Sequence, residues 1–163
     1  MTKHVTVRWQ GELDFECTDE AGASVSMSPT PSAYTPSELL LAALAGCTGM
    51  DAASIMAKKK VAVVKYTVDA TGEQREDHPR AFTTITVEHI VEGRDIADAA
   101  VARSVGLSAA KYCVVGATLA SGDLTINHRT RIIDENGERT CDCVTIGPRG
   151  KGLSHYEDGP TSG

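Results

Sequence analysis

The chain has 163 residues, of which 41% are hydrophobic and 4% aromatic, and its formal net charge is -6 at pH 7. A chain of this length can form one domain with its own core, filled mainly by aliphatic side chains. Its negative charge argues against nucleic acid as the main partner, because phosphate binding requires a basic surface. The first residues lack the pattern of a signal peptide, which predicts a cytoplasmic protein. There its five cysteines are expected to be reduced or redox-active.

Three short strands are predicted before residue 30. Residues 4–10, 13–18 and 25–28 are separated by turns, and the first of them alternates apolar and polar side chains with the period of a strand. The apolar face of this first strand carries Val5, Val7 and Trp9.

Residues 35–58 predict one long helix with Cys47 near its middle. The start of this helix has a capping residue, Thr35, followed by a first-turn proline, Pro36. Glu38 is the acidic partner of Thr35 in a capping box. Apolar residues occur nearly all round the first half, so the helix is expected to be buried on several sides. Its continuous apolar run is less than half of the about 20 residues that a membrane span needs. We therefore predict a core helix and no membrane partner.

The period of two returns after this helix. Residues 62–70 and 82–91 predict two strands, most simply paired as a hairpin, and residues 122–129 predict a last strand. One face of the second of these strands carries Ile85, Val87, His89 and Val91.

Two helices are predicted between the second and the last of these strands. Asp95 is expected to cap the first helix, which ends at a break at Gly106. Ser108 is expected to cap the second helix, over residues 109–120, which carries Cys113 in its second turn.

The C-terminal part of the chain gives a weak signal. Residues 137–163 are rich in glycine and poor in large apolar side chains. We predict a domain over residues 1–130 and a loosely ordered extension over residues 131–163. Deleting residues 132–163 should then shift the melting midpoint by no more than a few degrees.

Two cysteines in alanine-rich helices, Cys47 and Cys113, are the candidates for chemistry. A free cysteine is often only a small buried hydrophobe, so position alone leaves a structural role open. Gly46 and Gly49 flank Cys47, and each costs about 1 kcal/mol relative to alanine inside a helix. Their presence indicates close approach of a second helix or of a substrate.

The sequence around both cysteines carries a recognisable pattern. Residues 35–51 read Thr-Pro-Ser-Glu-Leu-Leu-Leu-Ala-Ala-Leu-Ala-Gly-Cys-Thr-Gly-Met-Asp, and residues 107–115 read Leu-Ser-Ala-Ala-Lys-Tyr-Cys-Val-Val. With residues 78–83 and 93–96, these motifs resemble the OsmC/Ohr family, and within it the compact YhfA-like branch. The resemblance covers about residues 5–129.

This resemblance implies an α+β fold in which antiparallel sheets pack around a long central helix, built as an intertwined homodimer with its active sites at the subunit interface. It implies that Cys47 attacks an organic hydroperoxide as a thiolate and becomes a sulfenic acid. Cys113 then forms a disulfide with Cys47, and an external dithiol reduces it. The resemblance also implies a role in the stress response. It implies neither a metal nor an organic cofactor.

The chain departs from the hydroperoxide reductases at the residues that activate the thiolate. Those enzymes place a glutamate directly after the helix-starting proline, where this chain has Ser37. Glu38 lies nearly opposite Cys47 on a helix with about 100° per residue, which favours a capping role. Arg8 precedes the helix, on the polar side of its strand, and sequence does not reveal whether it reaches Cys47.

Other candidate sites are weaker. Cys141 and Cys143 are two residues apart and lack the spacing of a zinc motif, so an inert pair is favoured over a soft-metal site. His78, His89 and His128 show no ligand spacing.

The sequence thus predicts a thiol peroxidase that acts through Cys47 and Cys113. The alternative is a non-catalytic protein that binds a hydrophobic or acyl ligand in the dimer cleft and whose cysteines are inert.

Overall fold

The structure is a computed structural model that describes residues 1–149. Over these residues the chain forms two compact units, residues 1–40 and residues 41–149, and the long helix α1, Pro36–Lys58, passes from the first into the second. The mixture of helices and sheets confirms the predicted α+β class.

The first unit contains a three-stranded antiparallel sheet. Its strands are β1 (Val5–Gly11), β2 (Asp14–Asp19) and β3 (Ser24–Met27), in the order β1-β2-β3. The three predicted strands are therefore confirmed, with bounds displaced by one residue. The predicted apolar face of β1 is exposed in the single chain, which leaves a hydrophobic surface on this sheet.

The N-terminus of α1 has the predicted capping box. The carboxylate of Glu38 accepts hydrogen bonds from the backbone N–H and the hydroxyl of Thr35, at 2.7 and 2.8 Å. The backbone N–H of Glu38 in turn donates to the hydroxyl of Thr35 at 3.3 Å. The bond from the Thr35 backbone is the main cause that lowers the pKa of Glu38, because it favours the ionised form.

Burial of α1 is narrower than the sequence predicts. The buried residues form one stripe: Leu44, Thr48, Gly49, Ala52 and Met56. The expectation of burial on several sides is wrong for the single chain, because only that stripe of α1 is buried. The helix is long and apolar enough to cross a membrane by length and composition alone, with a mean hydropathy of 1.6, but a helix that packs in a protein core meets the same criterion.

The second unit is built on a four-stranded sheet, in the order β4-β5-β6-β7. Its strands are β4 (Val63–Gln74), β5 (Phe82–Gly93), β6 (Thr125–Asp134) and β7 (Gly137–Ile146). β4 and β5 pair as the predicted antiparallel hairpin. β5 and β6 are parallel, because a helical crossover carries the chain back to the same end of the sheet. The expectation of antiparallel sheets is therefore wrong for this one pair of strands.

The crossover differs in detail from the prediction. It consists of α2 (Asp98–Leu107), a π-helical turn (Ser108–Tyr112) and α3 (Val114–Leu119). Asp95 is not the N-cap of α2, a position that Ala97 occupies, and Ser108 is the C-cap of α2 instead of the predicted N-cap of the next helix. The first helix also continues through the buried Gly106. The backbone N–H of Asp95 instead donates to a carboxylate oxygen of Glu135 at 2.9 Å, so a long-range contact fixes this segment.

The core of the second unit lies between the sheet and the helices. A larger cluster of buried residues contains Leu44, Ile85, Val87, Ala109, Cys113, Ala120, Leu124, Ile126 and Ile146. A smaller one contains Met56, Val91, Ile96, Val101 and Ile132. Gly49 allows α1 to approach β4 closely, since a Cβ atom there would lie 3.1 Å from a methyl group of Val68. Gly46 has open space around it, so only one of the two glycines is explained by packing.

Two of the predicted strand histidines are core residues. His89 Nε2 lies 3.3 Å from His128 Nδ1, and His89 Nδ1 lies 2.6 Å from the hydroxyl of Tyr66. Burial lowers the pKa of His89 to about 3 and that of His128 to about 4. Both rings are therefore neutral near pH 7, and their contacts with each other and with Tyr66 explain them as structural groups.

The expectation of a loosely ordered extension from residue 131 is corrected for residues 131–146. Residues 131–134 belong to β6, and β7 pairs antiparallel with this strand. The paired residues run from Ile126 opposite Ile146 to Asp134 opposite Gly137. Side chains of β7 make tertiary contacts that the composition did not suggest. Ile146 is buried in the larger cluster, and Arg139 forms an ion pair with Asp134 at 2.8 Å. The end of the predicted extension, residues 150–163, lies outside the described residues.

Candidate active site

Cys47 lies on α1 beside its buried stripe. Its side chain is half-buried and packs against the larger core cluster, which contains Leu44 from the preceding turn and Cys113 from the crossover. Because α1 is buried along one stripe only, this thiol lies at the edge of the core rather than within it.

Cys113 occupies the junction between the π-helical turn and α3. It is 2% exposed, and its sulfur accepts a hydrogen bond from the backbone N–H of Gly116 at 3.2 Å. Its own N–H donates to the carbonyl of Ser108 at 2.8 Å, which is the five-residue bond of a π-helix. The sequence placed Cys113 inside a helix, and the structure places it at the N-cap of α3.

The structure brings Cys47 and Cys113 together. The pKa of Cys113 is raised to about 12, mainly by burial and in part by a hydrogen bond with the Cys47 side chain. The charge of Asp51 acts in the same direction. Cys113 is therefore a protonated, inaccessible thiol near pH 7, whereas Cys47 is the more accessible of the two.

A buried polar cluster beside the thiols was not predicted. It joins Thr48 and Asp51 of α1 to Ser108 of the π-helical turn. A sequence signal for it existed, because Thr48 and Asp51 follow Cys47 by one and four residues and Ser108 is the second residue of the second cysteine motif. The sequence pattern instead predicted a helix N-cap at Ser108.

The cluster borders a cleft. The cleft has a volume of about 340 Å³ and is lined by Asp51, Ser54, Ile55, Lys58, Leu107 and Tyr112. It offers a small molecule both apolar walls and charged groups within the second unit.

Glu38 and Arg8 make local contacts. Glu38 completes the capping box, as predicted. Arg8 donates to the hydroxyl of Thr18 on the neighbouring strand at 2.9 Å, a contact within the sheet of the first unit. These contacts assign both side chains a structural role.

Cys141 and Cys143 lie on β7. The sulfur of Cys143 lies 3.7 Å from the hydroxyl of Thr130, and burial raises the pKa of this thiol. Across residues 1–149, no group of three or more His, Cys, Asp or Glu side chains is placed to hold a metal ion. The pair thus has local hydrogen bonds but lacks the three protein ligands of a typical zinc site.

Comparison with known proteins decides the family. The profile described as OsmC-like protein matches residues 29–129, more than half of the chain. The chain belongs to the OsmC-like family. The match includes both cysteines of the candidate site.

One relative at substantial identity is Protein YhfA of Escherichia coli K12. It is 40% identical over 129 residues, which cover 78% of this chain and 96% of YhfA. The name YhfA states no activity, so this relative supports the predicted branch without assigning a reaction.

Solved structures share the OsmC-like fold. The OsmC-like protein from Mycoplasma pneumoniae has a TM-score of 0.71 at 14% identity, and the match covers 81% of this chain and 97% of that one. The organic hydroperoxide resistance protein OhrB of Bacillus subtilis has a TM-score of 0.55 at 16% identity, covering 80% and 98%. At these identities the likeness establishes the fold alone.

Proposed function

We propose that this OsmC-like protein is a thiol peroxidase that reduces organic hydroperoxides through Cys47 and Cys113. The observation that carries the proposal is the pairing of one accessible thiol with one buried thiol in the same cluster. Membership in a family with the hydroperoxide resistance protein OhrB supports the choice of substrate class.

The first step oxidises Cys47. Its thiolate attacks one oxygen of the hydroperoxide, a sulfur–oxygen bond forms, the oxygen–oxygen bond breaks, and the other oxygen leaves as an alcohol after it takes up a proton. Cys47 is suited to this step because it is only half-buried. Cys113 is poorly suited, because its raised pKa leaves almost no thiolate near pH 7.

The second step resolves the sulfenic acid. The sulfur of Cys113 attacks the sulfur of Cys47, the sulfur–oxygen bond breaks, and the oxygen leaves as water with the proton of the Cys113 thiol. An external dithiol then reduces the disulfide by thiol–disulfide exchange and is itself oxidised. The external reductant and a cytoplasmic location are both parts of this proposal.

A homodimer is part of the same proposal. Large apolar side chains are exposed on the single chain. On β1 these are Val5 (58% exposed), Val7 (50%) and Trp9 (68%), and on α1 Met50 is 77% exposed. Apolar patches of this kind are covered in stable proteins, most often by a partner. We expect light scattering to show a dimer at micromolar concentration and the variant Val7→Glu to weaken it, whereas Gln10→Glu on the polar face should not. A wild-type monomer would contradict the dimer.

The alternative function is the binding of a hydrophobic or acyl ligand without chemistry. It is favoured by an apolar cleft of about 490 Å³ in the first unit, whose walls include Val7, Leu13, Phe15, Met27 and Pro36. Such walls suit an aliphatic ligand. The alternative needs no reaction at either thiol.

Treatment with a hydroperoxide tests the proposed function. Wild-type protein exposed to one equivalent of cumene hydroperoxide should consume it and form a Cys47–Cys113 disulfide within one chain, detectable by mass spectrometry of peptides. If both thiols stay free and the peroxide survives, the peroxidase proposal fails and the binding alternative takes its place.

A further inference from the structure

A buried hydroxyl group joins α1 to the segment that carries Cys113. Ser108 and Thr48 are both fully buried, and their hydroxyl oxygens lie 3.0 Å apart. The hydroxyl of Ser108 also lies 3.1 Å from the carbonyl oxygen of Thr48 and 3.2 Å from a carboxylate oxygen of Asp51. Because a buried hydroxyl is unfavourable without partners, these contacts fix where residue 108 lies along α1.

The backbone of the same residue holds Cys113. The carbonyl of Ser108 accepts the N–H of Cys113 at 2.8 Å across the π-helical turn. On the other side of the contact, Thr48 directly follows Cys47 in α1. One residue therefore connects the helix of the first thiol to the backbone of the second.

We propose that Ser108 is a positioning residue that holds the Cys113 thiol against Cys47 for disulfide formation. It acts by restricting the π-helical turn to one register on α1, which raises the effective concentration of one thiol at the other. The contribution of Ser108 to peroxide reduction rests on the proposed function. Its effect on the effective concentration of the two thiols does not.

Ser104 provides a matched control. It is also fully buried and lies four residues earlier in the same crossover, but its hydroxyl donates to the carbonyl of Ala100 within its own helix, at 2.7 Å. The variant Ser104→Ala thus removes a buried hydroxyl of the same kind without touching the contact to α1.

Equilibration with glutathione redox buffers measures the effective concentration of the thiol pair. We expect Ser108→Ala to lower it about tenfold, since a buried hydrogen-bonded contact between two helices is lost. Thr48→Val keeps the shape but removes one hydroxyl, so it should lower the value by less, and Ser104→Ala should leave it unchanged. If Ser108→Ala fails to fold, Thr48→Val decides the result.

A second measurement follows oxidation by excess cumene hydroperoxide. Ser108→Ala should oxidise Cys47 as fast as wild type but yield a larger share of sulfinic acid, because the disulfide forms more slowly. Equal effective concentrations in all variants would overturn the positioning role. If cumene hydroperoxide leaves wild-type thiols free while the glutathione equilibrium depends on Ser108, the peroxidase proposal fails and the positioning role stands.

Discussion

Replacing Cys47 with serine is expected to reduce hydroperoxide consumption to the rate measured without protein. Serine cannot be oxidised by a hydroperoxide, and its hydroxyl is not ionised at neutral pH, so no first step remains. Cys113 cannot take over, because burial raises its pKa to about 12. Consumption of cumene hydroperoxide with an excess of a dithiol reductant measures the effect.

Replacing Cys113 should give a different result from replacing Cys47. In Cys113→Ser the first oxidation of Cys47 remains, but no thiol traps the sulfenic acid. Without a reductant, excess peroxide should carry Cys47 to the sulfinic and sulfonic states, which mass spectrometry separates from the wild-type disulfide.

Cys143→Ser is the control for both variants. Cys143 is half-buried, like Cys47, but lies on β7, so its replacement should leave consumption and the disulfide unchanged. Equal loss of the first oxidation in Cys47→Ser and Cys113→Ser would contradict the assigned order of the two thiols. Loss in Cys143→Ser would assign part of the chemistry to β7.

The elements that the sequence predicted best are those determined by local patterns. The capping box at Thr35 and Glu38 and the strand alternation of β5 both involve residues that are close in the chain, and both were confirmed. Cys47 and Cys113 were singled out by motif, and the structure brings them into contact, but their chemical roles stay predictions.

The cluster around Ser108 was missed because its contacts are not local. The hydroxyl of Ser108 meets Thr48, sixty residues away in the chain, and no periodicity reports such a contact. A serine before an alanine-rich stretch also has a plausible local role as a helix cap, which hid the tertiary one. The π-helical turn that begins at Ser108 has no distinct sequence pattern.

β7 was missed because its composition is polar. Its sequence, Gly-Glu-Arg-Thr-Cys-Asp-Cys-Val-Thr-Ile, has large apolar side chains only at its end. An edge strand needs few such side chains when its backbone pairs with a neighbour, as β7 does with β6. Arg139 adds tertiary contacts that composition cannot reveal, with Asp134, Asp98 and the carbonyl of Ile96.

Removal of β7 is expected to destabilise the protein strongly. Ending the chain at Asn136 leaves the edge of β6 unpaired and removes Ile146, which is 1% exposed in the larger core cluster. Burial of one isoleucine contributes about 1.5–3 kcal/mol, before the lost backbone pairing and the contacts of Arg139 are counted. Since about 1 kcal/mol shifts the midpoint by roughly 2–4 °C at this size, we expect a fall of at least about 10 °C.

A chain that ends at Arg149 is the reference for this truncation, because the two variants differ only in residues 137–149. Single substitutions repeat the comparison on the full chain: Ile146→Ala should cost about 2–5 kcal/mol, as large-to-small changes in a core do. Thr140→Ala, at an exposed position of the same strand, should change the free energy of unfolding by less than about 0.5 kcal/mol. Thermal and denaturant unfolding measure all four variants. Equal midpoints for the two truncated chains would mean that β7 contributes nothing to the core and would restore the loosely ordered extension that the sequence predicted.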